Sequence, residues 1–269
     1  MHPRIRRLSL AFLIFAVLTI EPSADNLQAT TGTQHESPPG LTVPRETATP
    51  LQTAHARLPV YFESNLGQFD AHVQFVSRTR GVNVFLTDSE VVLVVIPSTA
   101  NKQRAARSVT IGLVNANTAS HITGLDKLPG KVNYFYGNTP KHWHTNIPIY
   151  ERVKYGDVYP GIDFLFRGNG QQLEFDFVVA PGAEPARIAL AIKGSDALRI
   201  DASGDVMLGI GKDTLRLHKP RIYQQVREET RDIPGAFRLD AKGNLRFQVA
   251  AYDRSLPLVI DPVVSYSTY

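Results

Sequence analysis

From Leu58 onward the chain breaks into short apolar runs of strand length, rich in Val, Ile, Phe and Tyr, recurring every 10 to 20 residues. These are Val73 to Val76, Val82 to Leu86, Val91 to Ile96, Val109 to Val114, Val132 to Tyr136, Tyr150 to Tyr155, Ile162 to Phe166, Leu173 to Val179, Ile188 to Ile192, Val206 to Ile210, Leu245 to Val249 and Leu256 to Ile260. Period-two patterning of such residues predicts an all-β fold, built as two sheets packed face to face or as two successive smaller sandwiches. Helical spacing is confined to the neighbourhoods of Lys102 to Arg107 and Tyr223 to Thr230. This part of the chain holds 22 of the 24 aromatic residues, enough to form a core.

The preceding residues differ in kind. Arg4, Arg6 and Arg7 precede Leu8 to Ile20, a run of 13 residues without charge. As a helix that run rises roughly 20 Å, short of the roughly 30 Å hydrocarbon core. Residues 1–24 are therefore expected to be a signal peptide, with an uncleaved anchor as the alternative and the only route to a membrane. Residues 25–57 carry seven Thr and four Pro with no aromatic residue, which predicts a disordered linker. The folded domain is expected over 58–262, in an extracellular or envelope location.

Charge and cysteine content narrow the function classes. The formal net charge is +4, but removing residues 1–24 leaves 26 basic against 24 acidic residues without a basic run, so no nucleic-acid partner is expected. The absence of cysteine excludes disulfides, thiolate metal sites and cysteine catalysis.

Turn chemistry predicts local pairing. Asp201-Ala-Ser-Gly-Asp205 and Asp240-Ala-Lys-Gly-Asn244 read as Asp-capped hairpin turns closed by a left-handed Gly rather than as calcium loops. Around Gly168-Asn-Gly170, a two-residue Asn169-Gly170 turn would pair Phe166 with Leu173, Phe164 with Phe175 and Ile162 with Phe177, burying one aromatic face. On the other face that register opposes Asp163 to Asp176 and Leu165 to Glu174.

Asp163, Glu174 and Asp176 are thus a candidate acidic site. Salt bridges from Arg152 and Lys154 are the plainer expectation; a divalent cation such as Ca²⁺ is the ligand the acids suit otherwise. Opposed carboxylates about 5 Å apart also approach retaining-glycosidase spacing, which makes a glycoside hydrolase the weakest of the readings. His142 and His144 would share a strand face as a two-ligand metal pair. Trp143, with Tyr134 and Tyr136, is a candidate stacking surface for sugar. No nucleophile elbow, phosphate loop, zinc-protease helix or dinucleotide fingerprint occurs, and a Ser/His/Asp triad of dispersed residues has no positive support in the sequence. No catalysis and no cofactor are expected.

Several motifs occur in order: Phe62-Glu-Ser-Asn-Leu-Gly-Gln68, Leu128-Pro-Gly-Lys-Val-Asn-Tyr-Phe-Tyr-Gly-Asn138, Trp143 with Thr145-Asn-Ile-Pro148, Val158-Tyr-Pro-Gly-Ile-Asp163, Leu173-Glu-Phe-Asp-Phe-Val-Val-Ala-Pro-Gly182, Lys219-Pro220 and Leu258-Val-Ile-Asp-Pro262. Together they resemble the β-rich domain that precedes SBBP-type, seven-bladed β-propeller repeats in bacterial secreted and cell-surface proteins. Ser265-Tyr-Ser-Thr-Tyr269 resembles the opening of the first repeat, so 263–269 is expected to start a truncated one. His144 departs from the Arg expected after the Trp. The resemblance implies an exported structural or adhesive module whose partner is a propeller or another cell-surface protein. Polysaccharide is the alternative partner, and the resemblance brings no activity with it.

Overall fold

The computed structural model describes residues 59–79, 81–95, 106–117, 120–170 and 172–267. The expected signal peptide and linker lie outside these residues, as does most of the Lys102 to Arg107 segment. The described residues are nearly all β, in one antiparallel sheet of 19 strands. Their only helical turns are two short 3-10 turns, Pro140–His142 and Pro185–Arg187.

The sheet branches at a long strand. One edge of β7 (His144–Tyr159) carries β6 (Ile122–Tyr134), and its other edge carries two strands in succession. The first is β1 (Phe62–Ser64), with Phe62 opposite Tyr150. It leads into β2 (Val73–Thr79), β3 (Val82–Thr87), β4 (Glu90–Val95), β5 (Arg107–Leu113), β10 (Ala189–Lys193), β17 (Leu245–Val249) and β16 (Gly235–Leu239). The second is β8 (Ile162–Asn169), which pairs with β9 (Gln172–Val179).

The far edge of β9 is shared in turn by β18 (Leu258–Asp261) and β19 (Val263–Ser267). β18 continues to β14 (Arg221–Val226) and β15 (Glu229–Asp232). β19 continues to β13 (Asp213–Leu217), β12 (Val206–Ile210) and β11 (Ala197–Ile200).

The two arms face one another across one core, as a sandwich requires. Leu93 and Ile111 of the first arm meet Phe164, Phe166 and Phe175 of the second around a space of only about 10 Å³. Phe164 stacks on Phe177 at 4.4 Å, and Phe177 meets Phe247 of β17 at 5.7 Å. Because the buried cluster runs continuously from Val60 to Val264, the domain is one sandwich-like unit rather than two in succession. Val263–Ser267, the described part of the 263–269 segment expected to open a following repeat, is a strand of this sheet.

Two local expectations change. The helical spacing around Tyr223 to Thr230 is a β14–β15 hairpin, in which Tyr223 pairs with Asp232. Charged residues at helical intervals also fit an exposed two-stranded edge, where neither face is strongly apolar.

The β8–β9 hairpin is slipped by two residues from the expected register. Asn169 pairs with Gln172, and Gly170, which follows Asn169, takes φ +60°. An even slip keeps every side chain on its expected face. It also places Arg167 opposite Glu174 and Asp163 opposite Val178, replacing a carboxylate pair by a cation–anion pair. The two Asp-capped turns form as expected: Asp201 and Asp240 each accept two main-chain N–H bonds, and Gly204 and Gly243 have φ of +87° and +78°.

Candidate functional site

The acidic residues fall into two places. Asp163 accepts a hydrogen bond from the Asp157 N–H at 2.8 Å, while Asp157, at φ +52°, accepts one from the Gly161 N–H. Asp163 therefore holds the irregular turn between β7 and β8, and Lys154 lies 3.4 Å from it, as the salt-bridge expectation required. Arg152, the other expected partner, pairs with Asp126 of β6 instead.

Glu174 and Asp176 form a separate cluster around Arg167. The guanidinium pairs with Glu174, with Asp176 at 2.8 Å and with Asp261 at 2.9 Å, and Asn169 donates to Glu174 at 2.8 Å. Three carboxylates thus share one cation on the face away from the core. Burial pushes the Asp261 carboxyl up to about 7, the Asp176 charge adds to this, and Arg167 opposes it. Desolvation works against the Arg167 charge, but the surrounding acids outweigh it and hold the guanidinium protonated. The expected cluster of Asp163 with Asp176 is not assembled, because the register separates them. The carboxylate spacing on which the hydrolase reading rested goes with it. Asp261 belongs to the cluster but was not singled out in the sequence, although it stands in the Leu258-Val-Ile-Asp-Pro262 motif.

The aromatic residues collect at the end of the β6–β7 ribbon. Tyr134 is the last residue of β6 and lies opposite His144 at the start of β7. Phe135 and Tyr136 continue outward, and the chain returns through the Pro140–His142 turn and Trp143. Tyr134 and Tyr136 stack at 5.9 Å, and Tyr136 meets His144 edge to face. Phe135 and Trp143 make a second pair at 5.1 Å. The expected trio is therefore divided: the tyrosines form one ring pair, and Trp143 belongs to the other. The Trp143 indole N–H donates to the Gly137 carbonyl at 3.1 Å, which fixes the ring while leaving it exposed. His142 lies in the 3-10 turn, so it and His144 do not project together as alternating strand residues would.

This end is braced from below. Tyr134 donates its hydroxyl proton to Glu63, a carboxylate with only 1% exposure in β1, and accepts from Arg78 at 2.8 Å. Burial, then the Glu63 bond, pushes the Tyr134 phenol well above its ordinary value, so it stays a donor. Phe69 packs edge-on to Tyr134, and the Arg78 guanidinium lies over both rings.

The loop that carries Phe69 is tied by Asn65, whose side chain accepts from the Gly67 and Phe69 N–H groups and donates to the Asp70 and Val73 carbonyls. Gly67 approaches the His144 ring so closely that a Cβ there would lie 3.4 Å from it. Two motifs 60 residues apart in sequence, Phe62 to Gln68 and Leu128 to Asn138, thus meet at one site. Leu66 and Phe135 are its most exposed apolar side chains, at 56% and 61%. Glu63 and Phe135 stood in the quoted motifs, whereas Arg78 carried no sequence signal.

A family model described as a domain of unknown function, DUF7948, matches residues 62–263. The chain belongs to the DUF7948 family. The match begins at the first residue of β1 and ends at the first residue of β19, so a DUF7948 domain contains both the braced aromatic end and the Arg167 cluster. No curated protein and no solved structure matches the chain.

Proposed function

We propose that this DUF7948 domain is an exported structural or adhesive module of the cell surface, and that the aromatic end of the β6–β7 ribbon is its contact surface. The carrying observation is the exposure of Leu66, Phe135, Tyr136 and Trp143 together, at 56%, 61%, 44% and 38%, on a support that is otherwise hydrogen-bonded and packed. Large apolar side chains gathered at one exposed place mark an interaction site. The rings are held by the Trp143 N–H bond and by edge contacts, so little side-chain freedom is lost when a partner covers them. The basic n-region and short apolar run at the N-terminus support export. The resemblance to domains preceding SBBP repeats makes a propeller or another surface protein the partner.

A second reading is polysaccharide binding at the same surface, favoured by the exposed rings of Phe135, Tyr136 and Trp143, with Tyr136 stacked on the half-buried Tyr134. A glycan array on the domain, repeated with Trp143→Ala, separates the two. Glycan binding lost in the variant selects the polysaccharide reading; uniform absence of binding leaves the protein partner. Cross-linking of the domain to a surface-protein partner through residues 135–143 tests the first reading, which fails if adducts map elsewhere.

A further inference from the structure

A hydrogen-bonded series of Ser, His and Asp stands on the outer face of the second arm. Ser265 lies in β19 directly opposite Arg216 of β13. His218 follows β13, and its Nε2 is 2.8 Å from Ser265 Oγ. Its Nδ1 is 3.2 Å from the Oδ2 atom of Asp205, which ends the Asp-capped turn before β12. Asp205 is only 7% exposed, accepts from the Lys219 N–H at 2.8 Å and receives Arg216 at 3.2 Å. Burial by itself would raise this carboxyl, but the Lys219 N–H, His218 and Arg216 hold it below its ordinary value.

The tautomer follows from these contacts. An ionised carboxylate only accepts, so in the neutral imidazole the single proton sits on Nδ1 facing Asp205. Nε2 is then left with a lone pair, and the Ser265 hydroxyl donates to it. This is the arrangement that activates a serine, with the imidazole as base and the carboxylate setting its orientation.

We propose that Ser265, His218 and Asp205 form an acyl-transfer site for carboxylic esters presented at an open, polar sheet face. Ser265 Oγ attacks the carbonyl carbon while its proton passes to His218 Nε2. The ester C–O bond breaks, and His218 returns the proton to the leaving alkoxide oxygen. Water, deprotonated by His218 in turn, releases the carboxylic acid and restores the serine. Arg216, the strand partner of Ser265, is the cation that meets the negative charge developing on the carbonyl oxygen. Asp205 is a positioning residue. His218 and Arg216 have side chains 42% and 40% exposed, so the site takes its substrate from solvent, with weak ground-state binding.

The test treats the full chain with a fluorophosphonate and maps the adduct by mass spectrometry. The expected result is phosphonylation of Ser265, slowed on the order of 100-fold in His218→Gln at unchanged melting temperature. Asp205→Asn is expected to slow labelling on the order of 10-fold, and Asp205→Glu, which restores a carboxylate, to recover most of the rate; loss of structure alone would not be rescued in this way. Folded wild-type protein that gives no adduct at Ser265, or a labelling rate indifferent to His218→Gln, overturns the proposal. Mapping on the wild type needs no variant, so the result stands even if a substitution prevents folding.

Discussion

The guanidinium of Arg167 meets the carboxylate of Asp261 at 2.9 Å across 94 positions of sequence. This contact joins β8 to β18 over the intervening β9, on the side of the sheet away from the core, and it brings a third carboxylate to a cation already shared by Glu174 and Asp176. Burial, together with the excess of negative charge there, is what makes the cluster sensitive to pH.

Asp261, raised to about 7, sets the sign of that dependence. A carboxyl whose folded-state value lies above its unfolded one binds protons more tightly in the native protein, so its contribution disfavours folding increasingly as pH rises from about 4 to about 7. Asp261→Asn is expected to flatten this part of the stability profile and to stabilise the domain at pH 8 by about 1–2 kcal/mol once solvent screening is allowed for. Urea unfolding at several pH values measures it. Equal slopes in variant and wild type would contradict the assignment.

Removing the cation has the opposite effect. Arg167→Ala leaves three neighbouring carboxylates without their partner and should cost about 3–5 kcal/mol near pH 8. The loss should be smaller at pH 5, where Asp261 carries its proton and one of the three charges is gone. An equal loss at both pH values would assign the effect to packing of the arginine stem.

Tyr134 and Glu63 offer a test of the brace beneath the aromatic end. Tyr134→Phe removes the hydroxyl donor from a carboxylate that is almost wholly buried, and should cost about 1–3 kcal/mol. Adding Glu63→Gln should cost less than the sum of the two single changes, because the hydrogen bond is already gone. Strict additivity in thermal melts would show that the contact carries no coupling.

Two glycines of the β8–β9 hairpin should respond for different reasons. At Gly168 a Cβ would lie 2.6 Å from the Val60 Cβ and 2.7 Å from the Val60 carbonyl oxygen, where Val60 also donates to the Gly170 carbonyl at 3.0 Å. Gly168→Ala should therefore destabilise by about 1–3 kcal/mol through forced displacement of that segment. Gly170 has open space around it but φ +60°, so Gly170→Ala should cost about 1–2 kcal/mol from backbone strain alone. Pairing either change with Val60→Gly distinguishes them: removing the Val60 Cβ should ease Gly168→Ala in part and leave the strain of Gly170→Ala unaffected.

Much of the fold is legible because sheet faces follow from residue parity. Phe164, Phe166, Phe175 and Phe177 read as one buried face and are one, and the turns at Asp201 and Asp240 follow from Asp and Gly chemistry within five residues. Strands without an apolar run of their own were missed: β15 is exposed at every position, β1 is only three residues long, and β13, although it alternates, holds only Leu215 and Leu217 as apolar residues.

The candidate sites were legible one residue at a time. Tyr134, Tyr136 and Trp143 stood out as aromatics close in sequence, but their division into two ring pairs depends on how the ribbon end turns. The Ser265, His218 and Asp205 series has no local pattern, since its members come from three segments joined only by the β12–β13–β19 pairing.

The sequence by itself determined an all-β domain, its buried faces and the turns that short-range chemistry dictates. Register and strand order belonged to the tertiary structure. A slip of two residues changes no face, so hydrophobic patterning cannot detect it; the attraction of Arg167 for Glu174 and Asp176 favours the observed pairing. That choice separates Asp163 from Asp176. Strand order, which no local signal encodes, brings Asp261 to Arg167 and Ser265 to His218, because distant strands become neighbours only where their apolar faces close the same core.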